Sequence, residues 1–328
     1  MEFRPITLPD NEAYVEWYKN SNYIVTSFTK GLSLNQEIGF FYLLKFLRGI
    51  FGNNYQFFFI TLAIINSVLM YFGSKSIIKN TYHNNSIYSI EGKISGRFIF
   101  LPLFILYLSY YGYMYNLVVL RAGIALSLLY FSVSLLLNNK RFYGILFFFI
   151  SLLFHQTAIL GLFVILVSFI STNISKKKYL TILFILLILY IFQISKFMST
   201  IDFNSLLGFS NKKNENIFGS YLANESAYGG YSFRTAVFLI NTGVIILINS
   251  KNFVVRKLLN IVLFGVTLLV IFGSIQAFER ATDFFIIFSF ILYYLTLNGM
   301  QNLQKKYSFF IWIVITETIF FMRLVGLL

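Results

Sequence analysis

Five ionisable residues lie within or at the edge of apolar stretches that are long enough to enter a bilayer. A charged side chain at the bilayer centre costs about 2.5–3.5 kcal/mol on insertion scales, so each of these residues is a candidate for function. A guanidinium stays charged and presents paired donors to phosphate oxygens, and a histidine can accept a proton near neutral pH. Together they favour a pocket for a multiply charged oxyanion, with a lipid diphosphate as its natural ligand. The five residues are Arg121, His155, Arg234, Arg280 and Arg323.

Most of these residues also have a structural explanation. Arg323 lies near the end of the last apolar stretch, where an arginine can extend to the membrane surface. Arg280 can pair with its neighbour Glu279, or with Asp283 on the same helix face. A lone membrane histidine is often a hydrogen-bonded packing residue. Function is favoured most for Arg121, because the surrounding sequence "NLVVLRAGIALSLLYF" offers no obvious partner for its charge.

Composition identifies an all-α polytopic membrane protein. The 328 residues are 58% hydrophobic, and only 12% are charged. Because the apolar segments are continuous rather than alternating, they predict helices and not barrel strands. The net charge of +14 fits basic cytoplasmic loops, so we do not expect nucleic acid as a partner. With no cysteine and two histidines, a metal site is not expected, and the sequence has no ATP-binding Walker motif.

The segment 142–170 predicts a broken helical hairpin. As one straight helix it would be about 43 Å long, well beyond a hydrocarbon core of about 30 Å. The basic turns at 138–141 and 175–178 flank it, and the positive-inside rule places both in the cytoplasm. The chain must therefore enter and return, with the break at His155. We expect about ten transmembrane or half-membrane helices, with further spans at 55–73, 97–115, 116–137, 179–196, 232–249, 254–273, 281–298 and 308–326.

Charge gives a topology for the rest of the chain. The predicted cytoplasmic loops carry 14 of the 26 basic residues, and the five candidate residues then fall in the non-cytoplasmic half. These loops are 74–96 with Arg97, 138–141, 175–178, 250–257 and 299–307. We expect residues 1–54 to form a non-cytoplasmic segment with an amphipathic helix at 37–51, and residues 55–328 to form the transmembrane domain. Since no span precedes the first loop, we expect tail insertion or an upstream start. The non-cytoplasmic loop 197–231 carries Tyr228 and Tyr231, whose rings suit sugars, although tyrosine is also common at membrane interfaces.

The stretch "LRAGIALSLLYFSVSLLLNNKRFYGILFFFISLLFHQTAIL" (120–160) resembles bacterial polysaccharide polymerases of the O-antigen (Wzy) type, especially the EpsG-like branch. That family has an arginine and glycine at the opening of one span, a basic turn, and a phenylalanine-histidine pair followed by a small residue. Arg121, Gly123, His155 and Ala158 occupy these positions. "FERATDFF" also resembles the late arginine segment of the family.

An early segment, "PDNEAYVEWY", resembles the aspartate-tyrosine segment of the family, carried here by Asp10 and Tyr14. Such proteins are membrane glycosyltransferases of lipopolysaccharide or exopolysaccharide biosynthesis in the bacterial inner membrane. They join polyprenyl-diphosphate-linked oligosaccharide repeats on the periplasmic face. The resemblance therefore implies two partners, the lipid-linked oligosaccharide as substrate and a chain-length regulator. It implies no cofactor.

The resemblance also implies roles for the candidate residues. Arg121 and Arg280, with Arg234 as a weaker third, would hold the diphosphate and stabilise it as a leaving group. His155 would accept the proton of the attacking hydroxyl, and Asp10 or Glu279 could do so instead. The further candidates for substrate binding are Arg323, Tyr14, Tyr228 and Tyr231.

Three other functions compete with a polymerase. An O-antigen ligase would bind the diphosphate through the same arginines and would differ in its acceptor. A flippase for lipid-linked oligosaccharides would be a transporter, and it predicts midplane charges and two related halves, which the sequence does not favour. An acyltransferase would need its histidine on the cytoplasmic side, which disagrees with the depth predicted for His155.

Overall fold

The computed structural model describes residues 11–22, 37–83, 96–170, 174–200, 232–248 and 252–324. The elements within these ranges are all helical, as the sequence predicts. The chain divides into two compact units, one formed by Met1–Leu162 with Phe321–Leu328 and the other by Phe163–Phe320.

The first unit contains the helices of the N-terminal half, and some of these helices are interrupted by segments with a different helical hydrogen-bond pattern. Two π-helical segments, Leu108–Gly112 and Met114–Val118, and a 3₁₀ segment, Gln156–Leu160, interrupt its α-helices. The α-helices are α1 (Asn11–Lys19), α2 (Ile38–Phe51), α3 (Tyr55–His83), α4 (Gly96–Tyr107), α5 (Leu120–Leu137), α6 (Arg141–Phe154) and the start of α7 (Gly161–Ser168).

Helix α5 forms the centre of the first unit, because nearly all of its residues are buried. An apolar sequence on every side is the pattern of a helix surrounded by neighbours. A neighbouring helix pairs with one of its polar groups: the hydroxyls of Tyr130 and of Ser74 on α3 lie 2.8 Å apart. Gly123 permits a close approach, since a Cβ there would lie 2.5 Å from the carbonyl oxygen of Tyr115. This approach fixes the start of α5 beside the second π-helical segment.

The predicted break in the helical hairpin is present at His155. Helix α6 ends at Phe154, and His155 has extended backbone (φ −157°, ψ 130°) before the 3₁₀ segment. Helix α6 first runs antiparallel to α5, with Gly144 against Leu136 near the C-terminus of α5. By Gly161 the chain is beside Leu129, which is about 12 Å along α5 from its N-terminal turn. The chain therefore turns back at His155.

Helix α11 (Phe253–Phe272) is at the centre of the second unit, because most of the other helices there pack against it. Asn252 caps its N-terminus by accepting hydrogen bonds from the amides of Val254 and Val255. Gly265 lets it approach its neighbour closely, because a Cβ there would lie 2.6 Å from the Cβ of Phe285. The helices are α8 (Lys176–Ile191), α9 (Ile194–Ser199), α10 (Phe233–Ile248), α11 (Phe253–Phe272), α12 (Gln276–Ile286), α13 (Ser289–Gly299) and α14 (Leu303–Leu324), whose last residues belong to the first unit.

The prediction of a loop at 74–96 is wrong for residues 74–83, which continue α3 as a helix, and their cytoplasmic location stays a prediction. This extension is polar, but α5 and the turn after it satisfy its hydrogen bonds. The Asn80 amide donates to the carbonyl oxygen of Leu137 at 2.6 Å, and the Asn138 amide donates to the Ser76 hydroxyl at 2.8 Å. The hydropathy of one segment cannot predict these hydrogen bonds, because their partners lie in another helix or follow it.

Two predicted span boundaries also differ from the structure. The boundary between the spans 97–115 and 116–137 lies at Val119, so Arg121 is the second residue of α5 rather than a residue well inside a span. The span 281–298 begins earlier and consists of α12 and α13, separated at Ile287 and Phe288.

The helices fit a membrane-embedded protein. Among the described residues, four helices are long and apolar enough to cross a bilayer. Large apolar side chains such as Phe142, Phe149 and Phe184 are exposed on the outer faces of α6 and α8, where lipid would cover them. The count of about ten spans stays a prediction. The four helices are Tyr55–Thr81, Leu120–Leu137, Phe253–Phe272 and Phe278–Gly299.

Candidate functional site

A carboxylate joins the two most favoured candidate residues in the first unit. One oxygen of Glu37 accepts a hydrogen bond from Nη1 of Arg121 at 2.6 Å, and its other oxygen contacts Nδ1 of His155. Glu37 lies 84 residues before Arg121 and 118 before His155. The three side chains form what we call the Glu37 cluster.

Helix α2 positions the carboxylate. Glu37 is the residue before this helix, and a buried stripe of Phe40, Leu44 and Leu47 fixes the helix in the first unit. Gly39 lets α2 approach the end of α6, because a Cβ there would lie 2.9 Å from the carbonyl oxygen of Leu153. The predicted helix at 37–51 is therefore present. Its packing brings Glu37 to the helix break.

Aromatic residues of α1 surround the guanidinium of Arg121. The Trp17 ring lies 4.8 Å from the Arg121 Cζ, a distance that permits a cation–π interaction. The buried Tyr14 side chain hydrogen-bonds Arg121. Arg121 also stands in the first turn of α5, where the helix dipole adds positive potential. These contacts hold the guanidinium in one place.

The Glu37 cluster is partly open to its surroundings. The side chains of Arg121 and His155 are 29% and 23% exposed, whereas that of Glu37 is 9% exposed. Burial raises the pKa of the Glu37 carboxyl, but the hydrogen bond and charge of His155 and the charge of Arg121 hold that pKa below its ordinary value. Glu37 is thus an anion between two groups that can reach a ligand.

This arrangement is suited to proton transfer beside an anion. A carboxylate accepts hydrogen bonds, so its contact with Nδ1 of His155 favours the tautomer with a proton on Nδ1. The other ring nitrogen, Nε2, is then the acceptor that can take a proton from a substrate. Catalytic histidines in other proteins are oriented in the same way by a buried carboxylate.

The second unit holds a separate group of charged residues. The buried Arg234 donates a hydrogen bond to Asp283, and its Nη1 lies 4.0 Å from a carboxylate oxygen of Glu279. Its Cζ also lies 5.5 Å from the Phe320 ring centroid and 5.9 Å from that of Phe238. Two acids therefore lie beside this arginine. The sequence offered Asp283 as a partner for Arg280 on the same helix, and in the structure Asp283 bonds Arg234. The predicted role of Arg234 in diphosphate binding stays a prediction.

Most of the remaining candidates lie outside the described part of the structure. Arg280 lies on α12 and is exposed. Arg323 lies in α14, but its side chain is outside the described part of the structure, as are the whole residues Asp10, Tyr228 and Tyr231. Within the described ranges, no group of three His, Cys, Asp or Glu residues could hold a metal ion.

The sequence predicted three members of this site and missed two. Tyr14, Arg121 and His155 come from distant parts of the chain and meet in the first unit. Glu37 was placed only in an amphipathic helix, and Trp17 was not singled out. Trp17 could have been found from its spacing, because it follows Tyr14 by three residues on α1 and residues at this spacing share a helix face.

One of the comparisons with known proteins agrees with the family resemblance of the sequence motifs. No curated protein and no solved structure matches the chain. A family model described as the EpsG family matches residues 3–326, which is nearly the whole chain. The match includes every element of the Glu37 cluster, and the chain belongs to the EpsG family.

Proposed function

We propose that this protein polymerises polyprenyl-diphosphate-linked oligosaccharide repeats into a surface polysaccharide. Membership in the EpsG family indicates a function of the polysaccharide polymerase type. The observation that supports the chemical step most directly is the bridge made by Glu37 between Arg121 and His155. It combines a positioned base with a positioned cation in an apolar, helical protein.

The proposed reaction is a glycosyl transfer. A hydroxyl of the acceptor repeat attacks the anomeric carbon of the growing chain, and the bond from that carbon to the diphosphate oxygen breaks. The bonding electron pair leaves with the lipid diphosphate, while Nε2 of His155 takes the hydroxyl proton. Glu37 holds the ring in position and stabilises the imidazolium that forms.

Arg121 stabilises the leaving group in this proposal. As the bond breaks, negative charge grows on the diphosphate, and a fixed guanidinium beside it lowers the energy of the transition state. Glu37 compensates part of the charge of Arg121, so the diphosphate needs further cations. Arg280 and Arg323 are the candidates, with Arg234 as a weaker one because of its two acidic neighbours.

The active site faces the periplasm in this proposal, since the topology from basic loops places the helix break on the non-cytoplasmic side. The lipid-linked donor and acceptor are also presented there. Sugar contacts are proposed for Tyr228 and Tyr231. A chain-length regulator is the proposed protein partner.

The ladder of surface polysaccharide on a gel from a strain lacking this gene tests the function. We expect the null strain to carry single repeats and wild-type protein to restore the ladder. Loss of every repeat from the surface would instead indicate a flippase or a ligase.

Arg121→Ala and His155→Ala, each at matched expression, extend the test to the site. We expect both to leave the ladder absent. The exposed Arg141 at the other end of α6 provides a matched control, and Arg141→Ala should restore the ladder. A normal ladder from His155→Ala would remove the proposed base.

A further inference from the structure

An apolar groove lies between α10 and α14 in the second unit. Its volume is about 570 Å³. The hydrogen bond of 2.9 Å from Trp312 Nε1 to the Asn241 side chain fixes the register of the two helices. Seven residues away along each helix, at about 10 Å, Lys305 and Ile248 line the same groove. The lining residues are Ile240, Val244, Leu247, Ile248, Met300, Lys305, Ser308, Phe309 and Trp312.

Two lysines lie at this groove, and a third follows directly in the chain. Lys305 lines it directly, and Nζ of Lys176 donates a hydrogen bond of 2.8 Å to the carbonyl oxygen of Leu247 in its wall. Lys306 lies next to Lys305, with its Nζ 3.4 Å from the Asn298 side chain. The carbonyl contacted by Lys176 belongs to the last turn of α10, where the helix dipole attracts cations. The lining residues include no acid.

We propose that this groove binds an anionic phospholipid. One acyl chain lies along Ile240, Val244 and Trp312, and the headgroup phosphate is bound by Lys305 and the Ser308 hydroxyl. Basic sites between membrane helices at the cytoplasmic surface recognise anionic lipid headgroups in this way. The apolar walls suit a chain, and the lysines distinguish an anionic from a zwitterionic headgroup.

The proposed lipid is not the substrate of the glycosyl transfer. The lysines lie at the ends of predicted cytoplasmic loops, 175–178 and 299–307, whereas the proposed reaction occurs on the other face. The proposal rests on charge complementarity at the groove, so it is independent of the proposed function.

Tryptophan fluorescence gives a direct test, because the chain has only two tryptophans and one of them lines the groove. The Trp17→Phe protein, reconstituted in phosphatidylcholine vesicles, reports on Trp312 alone. A small fraction of lipid with brominated acyl chains is then added, as either phosphatidylglycerol or phosphatidylcholine. We expect stronger quenching by the brominated phosphatidylglycerol, with an apparent affinity about fivefold higher for each lysine that contacts the phosphate.

Lysine variants identify the headgroup site. Lys305→Gln should reduce the preference for phosphatidylglycerol about fivefold, and Lys305→Arg should retain it. The matched control is Lys196→Gln, since Lys196 follows the opposite end of α8 from Lys176. Both positions are exposed, so the variants should fold. Equal quenching by the two brominated lipids, or an equal effect of Lys196→Gln and Lys305→Gln, would overturn the proposal.

Discussion

Replacement of Glu37 by glutamine tests the Glu37 cluster most sharply. The substitution keeps the size of the side chain and removes its negative charge. Glutamine has one acceptor oxygen, whereas the carboxylate serves Arg121 and His155 with two. The change therefore leaves either Arg121 or His155 without its acceptor oxygen while it preserves the packing of α2.

The size of the effect follows from these contacts. A hydrogen bond to a charged group contributes about 1.5–3 kcal/mol to stability. Because Arg121 and His155 are partly exposed, solvent compensates some of this loss, and we expect about 1–2 kcal/mol for the lost bond. General base catalysis contributes about 10²–10⁴-fold to a rate. A base that is misplaced rather than removed should lose an amount near the lower end, about 10²-fold.

The assay is polymerisation by the purified protein in vesicles with a synthetic lipid-linked repeat, alongside thermal unfolding in detergent. Glu37→Asp keeps the charge and should recover part of the rate. The exposed Glu12 on α1 is the matched control, and Glu12→Gln should change neither measurement. A wild-type rate from Glu37→Gln would refute the role of this carboxylate in positioning the base.

Three further predictions concern packing, charge and pH. Gly39→Ala should lower activity, measured as the length of the polymer formed, because the added Cβ displaces α2 from the end of α6. Gly49→Ala in the same helix should keep the wild-type polymer length, since nothing lies within 4 Å of its added Cβ. Asp283→Asn should lower the thermal unfolding temperature by more than an exposed substitution, because it leaves the buried Arg234 without its nearest anion. The folded-state pKa of Glu37 lies below its ordinary value of 4.5, so its contribution to stability is complete above about pH 4.5 and is lost as pH falls through the folded-state value. Unfolding measured against pH should show this loss in wild type and not in Glu37→Gln.

Sequence reasoning predicted the helical break because the break is a local property. A segment too long for one crossing, basic at both ends and polar at its middle, must turn near His155. The same reasoning singled out Arg121, since a charged arginine in an apolar stretch is energetically costly and is therefore a candidate for function. The resemblance to a known family added Tyr14.

Glu37 could not be found in the same way. Its partners are distant in sequence, and they meet only when α2, α5 and α6 pack together. An acid before an amphipathic helix has a common local explanation at the helix N-terminus, so its type and position indicated nothing unusual. The extension of α3 was missed for a similar reason, because hydrogen bonds from another helix satisfy its polar residues.

In the proposed reaction, the Glu37 cluster promotes cleavage of the bond between the anomeric carbon and the lipid diphosphate. The most direct measurement is the release of free polyprenyl diphosphate from a lipid-linked repeat by the reconstituted protein. We compare wild type, His155→Ala and a control in the only other histidine, His83→Ala. We expect release by wild type and His83→Ala at equal rates, and a loss of about 10²-fold or more for His155→Ala. Equal release by all three proteins would exclude His155 as the base.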